Sequence, residues 1–400
     1  MASRRVLIAG GFGAAVLAAL GYRAWDRGVF SSGQGPAFAP WREWQGRAGE
    51  GTRRPLHAAI LAANAHDTQP WLFEPQEDSI AVYADRARNL GAADPFRREL
   101  YVSLGCAVAN LQIAAFGYGL ASDIRFVAGR LEPSPANAPV KVADIRFGAV
   151  QVLETAAAGL GRLAAAIPFR HTNRGAYFAD RKIAPGVLDR VSGPLATNVR
   201  AVLIREAGAR KAFGDVVVGA TADFISDKQM SADSARWFRT GRREVEAHRD
   251  GVGTDTAGLS PAMAIAAKLL PDVGADAADK FWLASTRDTQ VPTAAVFGLI
   301  AVRDRLDMNQ ALQVGYAWQM IHLTAAMHGL AAQPLNQPIE MMDRDLVLGR
   351  KSGYAAELRK VAGVEDGDPA FVFRLGYAER PAVPSPRRPL EEVIRQTGFA

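Results

Sequence analysis

The chain has 400 residues, of which 49% are hydrophobic and 22% are charged, and its formal net charge is +6. This composition excludes a disordered chain, a collagen-like chain and a polytopic membrane protein. The arginines are scattered and form no basic stripe of the kind that nucleic-acid binders carry, so no nucleic-acid partner is expected. The single cysteine, Cys106, excludes an internal disulfide and a multi-cysteine metal site.

A pair of arginines opens the chain and is followed by an apolar run. Arg4 and Arg5 precede apolar or small residues from Val6 to Tyr22. This is the layout of an export signal, and the arginine pair resembles a twin-arginine signal. Glycines within the run also imitate a dinucleotide-binding turn, but the second strand that such a fold needs is missing. No clean cleavage site follows Tyr22, so an uncleaved membrane anchor is the alternative.

These features divide the chain into four parts. We predict a signal or anchor over 1–27, a flexible Ser/Gly/Pro-rich linker over 28–45, and two halves of the folded body over 46–150 and 151–400. The expected partner of the first part is the twin-arginine export machinery. The expected location is therefore the periplasm, or a membrane-anchored position that faces out of the cytoplasm.

The body carries a weak internal repeat. Apolar periodicity predicts two long helices, over Arg98–Leu120 and over about 309–329, and both end in Gly-Leu before a strand-like stretch. Further strands are predicted at 72–73, 80–83, 124–126 and 140–147. The repeat predicts an α+β fold in which two related halves form a pseudo-dimer within one chain, with the two long helices side by side in the core.

Two basic clusters are candidates for binding an anion. One is Arg170-His171-Thr172-Asn173-Arg174, and the other is the proline-stiffened stretch around Arg387 and Arg388. Guanidinium groups pair with phosphate in two-point contacts, so two such clusters could converge on one phosphate. The alternative is two solvated loop charges. The six histidines lack metal-ligand spacing, and no metal site is predicted.

Together these stretches resemble a known family. Asn64 to Trp71 resembles the "S-x-x-N-x-Q-P-W" turn of the FMN-dependent nitroreductases, and Arg170 to Arg174 looks like that family's "R-R-S-x-R" phosphate motif. Phe371 to Tyr377, with Arg387 and Arg388, looks like its closing strand and basic tail. The order of the motifs is similar to that of the Acg-like branch, in which two nitroreductase units are fused in one chain.

The resemblance implies one FMN per chain, bound between the two halves. The residues implied around the flavin are Asn64, Ala65, His66 and Asp67, and those implied at its phosphate are Arg170, Thr172, Arg174, Arg387 and Arg388. Asp67 departs from the family, which usually has Asn there, and a carboxylate cannot donate a hydrogen bond unless it is protonated. The second half lacks a matching turn, so we predict no second flavin site.

The implied activity is electron transfer from NAD(P)H through FMN to an unknown small-molecule acceptor. No general acid or nucleophile is assigned, since the flavin itself carries out the chemistry in that family. The alternative is a non-catalytic protein that binds or sequesters flavin beneath a lid. The stretch from Met230 to Pro271 is the lid candidate, because it is charged, rich in glycine and free of family motifs.

Overall fold

The computed structural model describes residues 18–45, 51–149, 154–193, 195–196, 198–270 and 274–395. The predicted twin-arginine pair and the apolar run up to residue 17 lie outside these ranges. So do residues 150–153, where the boundary between the two halves is predicted.

The described residues form helices, two four-stranded antiparallel sheets and one short parallel pair of strands. The helices are α1 (18–26), α2 (Ala39–Glu43), α3 (Leu56–Ala59), α4 (Arg98–Gly117), α5 (Glu154–Ala166), α6 (Pro185–Val191), α7 (Ala207–Ser226), α8 (Lys228–Ala235), α9 (Arg242–His248), α10 (Pro261–Leu269), α11 (Ala275–Ser285), α12 (Met308–Met327), α13 (Gln337–Val347) and α14 (Tyr354–Ala362). The strands are β1 (Trp71–Pro75), β2 (Ser79–Ala84), β3 (Leu120–Phe126), β4 (Val140–Ala149), β5 (Arg200–Ile204), β6 (Phe238–Arg239), β7 (Val252–Gly253), β8 (Val296–Val302), β9 (Ala331–Pro334) and β10 (Asp368–Gly376).

Two four-stranded sheets share one topology. The first has the order β1-β2-β4-β3 and the second β5-β8-β10-β9, and every neighbouring pair in both is antiparallel. In the first sheet β2 leads into α4 and then into the edge strand β3, and β4 returns between β2 and β3. In the second sheet β8, α12, β9 and β10 follow the same path. The halves differ in their connections: β1 and β2 form a hairpin, whereas α7 to α11 separate β5 from β8, and α13 and α14 lie between β9 and β10 where the first half has a loop.

The long helices α4 and α12 pack side by side at two glycines. A Cβ added to Gly105 would lie 1.9 Å from the carbonyl oxygen of Leu312, and one added to Gly315 would lie 1.8 Å from that of Val102. These contacts are reciprocal, as expected for a pseudo-twofold axis between the halves. They confirm the predicted α+β fold of two fused halves with the helices together in the core.

The ends of these helices follow from their sequence. Two backbone N–H groups of the first turn of α4 donate to the Asp94 carboxylate, and Gln310 N–H donates to Asp307 at the start of α12. Gly119 and Gly329 follow the two helices with φ of 78° and 70°, which is the left-handed conformation that ends helices. By length and composition α4 could cross a bilayer, but 83% of its most apolar stretch is buried, as in the core helix of a folded body.

The C-terminal tail crosses to the first half, and the N-terminal region packs against the folded body. After β10 the tail runs back to the first sheet, where Phe73 N–H donates to Val393 and Arg395 N–H donates to Phe73. Residues 28–45 were predicted to be a flexible linker, but they pack against the body: Phe38, Trp41 and Trp44 are buried there. The packing follows from these aromatic side chains. The free energy gained by burying them outweighs the tendency of the surrounding glycine, serine and proline residues to form exposed turns.

Candidate functional site

The candidate site is built around a strained turn. The chain from Asn64 to Gln69 links α3 to β1, and His66, Asp67 and Gln69 have φ of 47°, 55° and 49°. Residues other than glycine rarely adopt this left-handed conformation, and it costs free energy. The Asn64 amide stabilises the turn, because its Oδ1 accepts from Gln69 N–H at 2.8 Å and its Nδ2 donates to Asp67 at 3.2 Å. Such strain is typical of functional sites.

Arg387 reaches this turn from the C-terminal tail. Its guanidinium forms a buried ion pair with Asp67 and donates to the Ala62 carbonyl oxygen at 3.1 Å. It also donates to the Ser385 hydroxyl at 2.7 Å. The tail thereby fixes the one carboxylate of the turn against a cation, in a place that water does not reach.

Arg170 lies next to this ion pair without forming one of its own. It is 2% exposed, it donates to the Leu61 carbonyl oxygen at 3.1 Å, and its Nη1 is 3.3 Å from His322 Nδ1. It makes no salt bridge with any carboxylate in the described parts of the chain. A buried guanidinium with neutral partners alone is costly, because burial penalises the charged form.

Trp41 joins the two arginines. The Arg170 and Arg387 guanidinium carbons lie 5.7 Å and 4.8 Å from the centroid of its ring. The indole N–H donates to the Ser385 carbonyl oxygen at 2.7 Å, and the His171 ring packs against the indole at 4.5 Å. A tryptophan face stabilises cations, so Trp41 partly offsets the repulsion between the two guanidinium groups.

Burial and the neighbouring arginines together disfavour further positive charge at this site. Burial, with a further contribution from Arg387, lowers the pKa of Arg170 to about 9. Burial and the same two arginines lower the pKa of His171 to about 3, and burial beside Arg174 lowers the pKa of His66 to about 4. Burial raises the pKa of Asp67 although Arg387 opposes the shift. An anion would relieve this imbalance.

Unsatisfied donors lead to the same conclusion. The Nε atoms of Arg170 and Arg387 are buried and have no hydrogen-bond partner in the described structure, and neither does Oδ2 of Asp67. Buried polar atoms without partners are uncommon in folded proteins. Because two of these three atoms are cationic donors, the residues present fit the phosphate end of FMN.

The remaining predicted residues are less closely grouped. Arg174 donates to the Thr256 carbonyl oxygen at 3.0 Å. Thr172 forms a backbone bridge with Ala332. Arg388 turns most of its side chain toward Glu392. It contacts the turn through its backbone N–H, which donates to the Gln69 side chain at 2.8 Å, and through a long hydrogen bond of 3.5 Å from its guanidinium to the Gln69 carbonyl oxygen. Direct phosphate contacts from Thr172 and Arg388 therefore stay predictions.

Two further predicted residues face neighbouring elements. Ala65 N–H donates to the Ser103 hydroxyl of α4 at 3.0 Å. The His66 ring nitrogen is 2.8 Å from the Ser234 hydroxyl of α8. The turn is thus held between the long core helix and the segment that was predicted to be a lid.

We call residues 230–270 the covering segment, because they lie over the turn. Gln69 Nε2 donates to the Arg249 carbonyl oxygen at 2.8 Å, and Gly251 N–H donates to that of Asp67 at 3.1 Å. Gly258, with φ of 81°, lies so close to Arg174 that a Cβ there would be 2.4 Å from its carbonyl oxygen. The covering segment therefore contacts the site through backbone groups at several points.

Sequence reasoning missed Trp41 and His322. Trp41 stands in the predicted linker, where the only signal was a tryptophan among glycines and prolines. His322 was judged a packed or surface residue, and it is buried on α12 beside Arg170. Within the described ranges, no three His, Cys, Asp or Glu side chains are grouped so that they could hold a metal ion.

Two curated proteins of Mycobacterium tuberculosis are similar to this chain over most of their length. One, provisionally named an NAD(P)H nitroreductase, is 28% identical over 352 residues, which are 86% of this chain and 91% of that protein. The other, provisionally named NAD(P)H nitroreductase acg, is 25% identical over 348 residues, 85% and 93% of the two chains. No protein-family profile matches the chain. The two relatives support the resemblance to the nitroreductase family.

Solved structures give more distant likenesses. An FMN-dependent nitroreductase of Mycobacterium smegmatis in complex with NADPH is 18% identical, with a TM-score of 0.37. The match covers 60% of this chain and 100% of that protein. An FMN- and NADPH-dependent nitroreductase of Sphigopyxis sp. strain HMH is 17% identical, with a TM-score of 0.35. The match covers 59% of this chain and 99% of that protein.

Proposed function

We propose that the protein is an FMN-binding oxidoreductase of the nitroreductase type, which passes electrons from NAD(P)H to a small-molecule acceptor. The observation that carries the proposal is the buried pair Arg170 and Arg387. The two guanidinium carbons lie 5.7 Å and 4.8 Å from the centroid of the Trp41 ring, both side chains have an unpartnered Nε, and among the described residues Asp67 is the one carboxylate paired with either. Such a site favours a bound dianion. The names of the two curated relatives support the reaction class.

Each group of residues has a part in this proposal. Arg170, Arg174 and Arg387 would hold the phosphate, and the turn from Asn64 to Asp67 would lie along the rest of the cofactor. FMN, when bound, would supply the capacity to accept a hydride from NAD(P)H and to deliver electrons onward. Asp67 would orient Arg387 through their ion pair, while Trp41 and the covering segment would exclude water. No side chain is assigned a role as acid or nucleophile.

The first test is the absorbance spectrum of the purified full chain, followed by steady-state turnover. We expect flavin bands, and oxidation of NADPH that depends on an added quinone or nitroarene. A colourless protein that takes up no FMN during dialysis against it would contradict the proposal. Free FMN at the same concentration is the control, because it measures the uncatalysed reaction.

A second candidate is a flavin-sequestering protein. The covering segment favours it, because two hydrogen bonds hold that segment on the turn: the Arg249 carbonyl oxygen accepts from Gln69, and Gly251 N–H donates to the Asp67 carbonyl oxygen. Two results together would support sequestration: NADPH and dithionite reduce the bound flavin at very different rates, and no added acceptor is turned over. Prompt reduction by NADPH and multiple turnovers would support the enzyme.

We also propose export by the folded-protein route, through the twin-arginine machinery. The support is Arg4-Arg5 before an apolar run, together with a cofactor that must be inserted before transport. Replacing both arginines by lysine is expected to leave the protein in the cytoplasm. Unchanged fractionation would contradict export by this route and favour a simple membrane anchor.

A further inference from the structure

Helix α10 is apolar and yet exposed. Its sequence is Pro-Ala-Met-Ala-Ile-Ala-Ala-Lys-Leu, and Lys268 is its one charged residue. Met263 and Ile265 are 48% and 44% exposed, and Leu270, just beyond the helix, is 59% exposed. A helix on a water-facing surface normally carries polar residues on its outer side, so α10 lacks the composition that contact with water favours.

The one charge of α10 is turned away from that exposed side. The Lys268 ammonium is buried, where it pairs with Asp255 at 2.7 Å and donates to the Gly28 carbonyl oxygen at 2.9 Å. Inward placement of the lysine leaves an outer face of alanine, methionine and isoleucine side chains. The polar network therefore creates the apolar surface and also fixes α10 to the N-terminal region.

The N-terminal region extends the same surface with aromatic side chains. Arg23 of α1 donates to the carbonyl oxygens of Leu269 and Leu270 at 2.7 Å and 2.8 Å, so α1 lies against the end of α10. Trp25 and Phe30 are 58% and 81% exposed, and Leu20 and Tyr22 are exposed as well. Contiguous exposed apolar patches of this kind mark interaction sites. Tryptophan and tyrosine are enriched where proteins meet the lipid headgroup region.

The chain itself indicates what covers this surface. Residues 6–17 are apolar or small without a single charge, and they lead directly into α1. A charge-free apolar run of 12 residues is short for spanning a bilayer but suits insertion at its interface, which would bring α1 and α10 to the lipid. Two arginines of the covering segment contact these aromatic side chains: the Arg242 guanidinium carbon is 5.8 Å from the centroid of the Trp25 ring, and Arg243 donates to the Tyr22 hydroxyl at 2.9 Å. Cations beside exposed aromatic residues suit a surface that carries anionic lipid.

We propose that α1 and α10, with Phe30 and Leu270, form a docking surface for a lipid bilayer. On this proposal the N-terminal run inserts into the bilayer, and the exposed faces of both helices lie in its interfacial layer. The body would then be held at a fixed orientation on the membrane, with the covering segment, which contains α10, next to the lipid. The proposal does not depend on flavin binding.

A fluorophore that reports local polarity tests this surface in the full chain. The native Cys106 can stay in place during labelling. It is buried against α12 and burial raises the pKa of its thiol, so it reacts slowly with the fluorophore. Met263→Cys and Ile265→Cys place the label on α10. Leu346→Cys is the matched control, since Leu346 is a similarly exposed apolar residue at the end of α13.

The labelled proteins are mixed with vesicles of phosphatidylcholine and phosphatidylglycerol. We expect emission at shorter wavelength, and quenching by a lipid-borne quencher, for labels at 263 and 265 but not at 346. Vesicle-bound protein with no change at either α10 position would overturn the proposal. So would equal quenching at 346, or an emission shift that depends on protein concentration without lipid, which would assign the surface to a second copy of the chain.

Discussion

Gly105 and Gly315 occupy the same turn of their respective helices, and each lies against the backbone of the other helix. A Cβ at either position would approach a carbonyl oxygen to less than 2 Å, as the distances of 1.9 Å and 1.8 Å show. The two halves can therefore approach this closely only with glycine at both positions. The interface between the halves is set by backbone contact, and not by side-chain packing alone.

We predict that Gly105→Ala or Gly315→Ala destabilises the protein, because the added methyl group must push α4 and α12 apart. Overpacking of this kind costs about 1–3 kcal/mol in the free energy of unfolding. Gly117→Ala at the end of α4 is the control, since its Cβ would meet nothing within 4 Å. Urea unfolding should show a lower midpoint for the first two variants and an equal or higher midpoint for the third. A wild-type midpoint for Gly105→Ala would contradict the close approach.

A second prediction concerns Arg170. Arg170→Ala should weaken FMN binding roughly 10- to 150-fold, since a charged hydrogen bond contributes about 1.5–3 kcal/mol. Arg125→Ala is the control, because Arg125 is exposed on β3 and pairs only with Asp123 among the described residues. Titration of the stripped proteins with FMN, followed by flavin fluorescence, measures both affinities. Equal affinities would place the phosphate elsewhere.

A third prediction concerns pH. In the folded state the pKa of His171 is lowered to about 3 and that of His66 to about 4, from 6.5 in a model peptide. Below pH 6.5 the unfolded chain therefore binds protons that the folded chain does not. Stability should fall as the pH drops from about 6.5 toward 4, and it should be fully present above 6.5.

Substitution isolates this effect. His171→Gln should reduce the pH dependence of the unfolding free energy by roughly 1 kcal/mol per pH unit between pH 6 and pH 4. His248→Gln, at the exposed end of α9, is the control for the loss of an imidazole. Denaturant melts at several pH values provide the measurement. The same slope in the His171 variant as in the wild type would show that its proton is not linked to folding.

A fourth prediction concerns the covering segment. Gly258→Ala should displace this segment from Arg174, because the residue has φ of 81° and its Cβ would lie 2.4 Å from the Arg174 carbonyl oxygen. Gly253→Ala is the control within the same segment, since its nearest contact would be an ordinary 3.8 Å. Amide hydrogen exchange over residues 249–258 should speed up only in the first variant, and bound flavin should dissociate faster. Unchanged exchange would mean that the segment does not close on Arg174.

Hydrophobic periodicity was sufficient to predict the two long helices and strands at four places in the first half, and the likeness of the two helices predicted the repeat. Those elements depend on apolar spacing, which a single sequence displays. Trp41 shows where this approach ends. Its contact with Arg170 and Arg387 joins three distant stretches of chain, and no local pattern encodes it. Arg388 is the converse case: it matches a motif as well as Arg387 does, but backbone geometry turns its side chain to Glu392.

The inserted helices between β5 and β8 also bear on the order in which the protein can assemble. All strands of the first sheet lie within residues 71–149, so that sheet can form while the chain is still being synthesised. The second sheet pairs β5 with β8 and β8 with β10, and it cannot close until residue 376 has been made. Throughout that interval Phe73 on β1 lacks its backbone partners at 393 and 395. Until residue 395 has been made, the edge of the first sheet at Phe73 lacks this partner, and unpaired sheet edges are prone to wrong association.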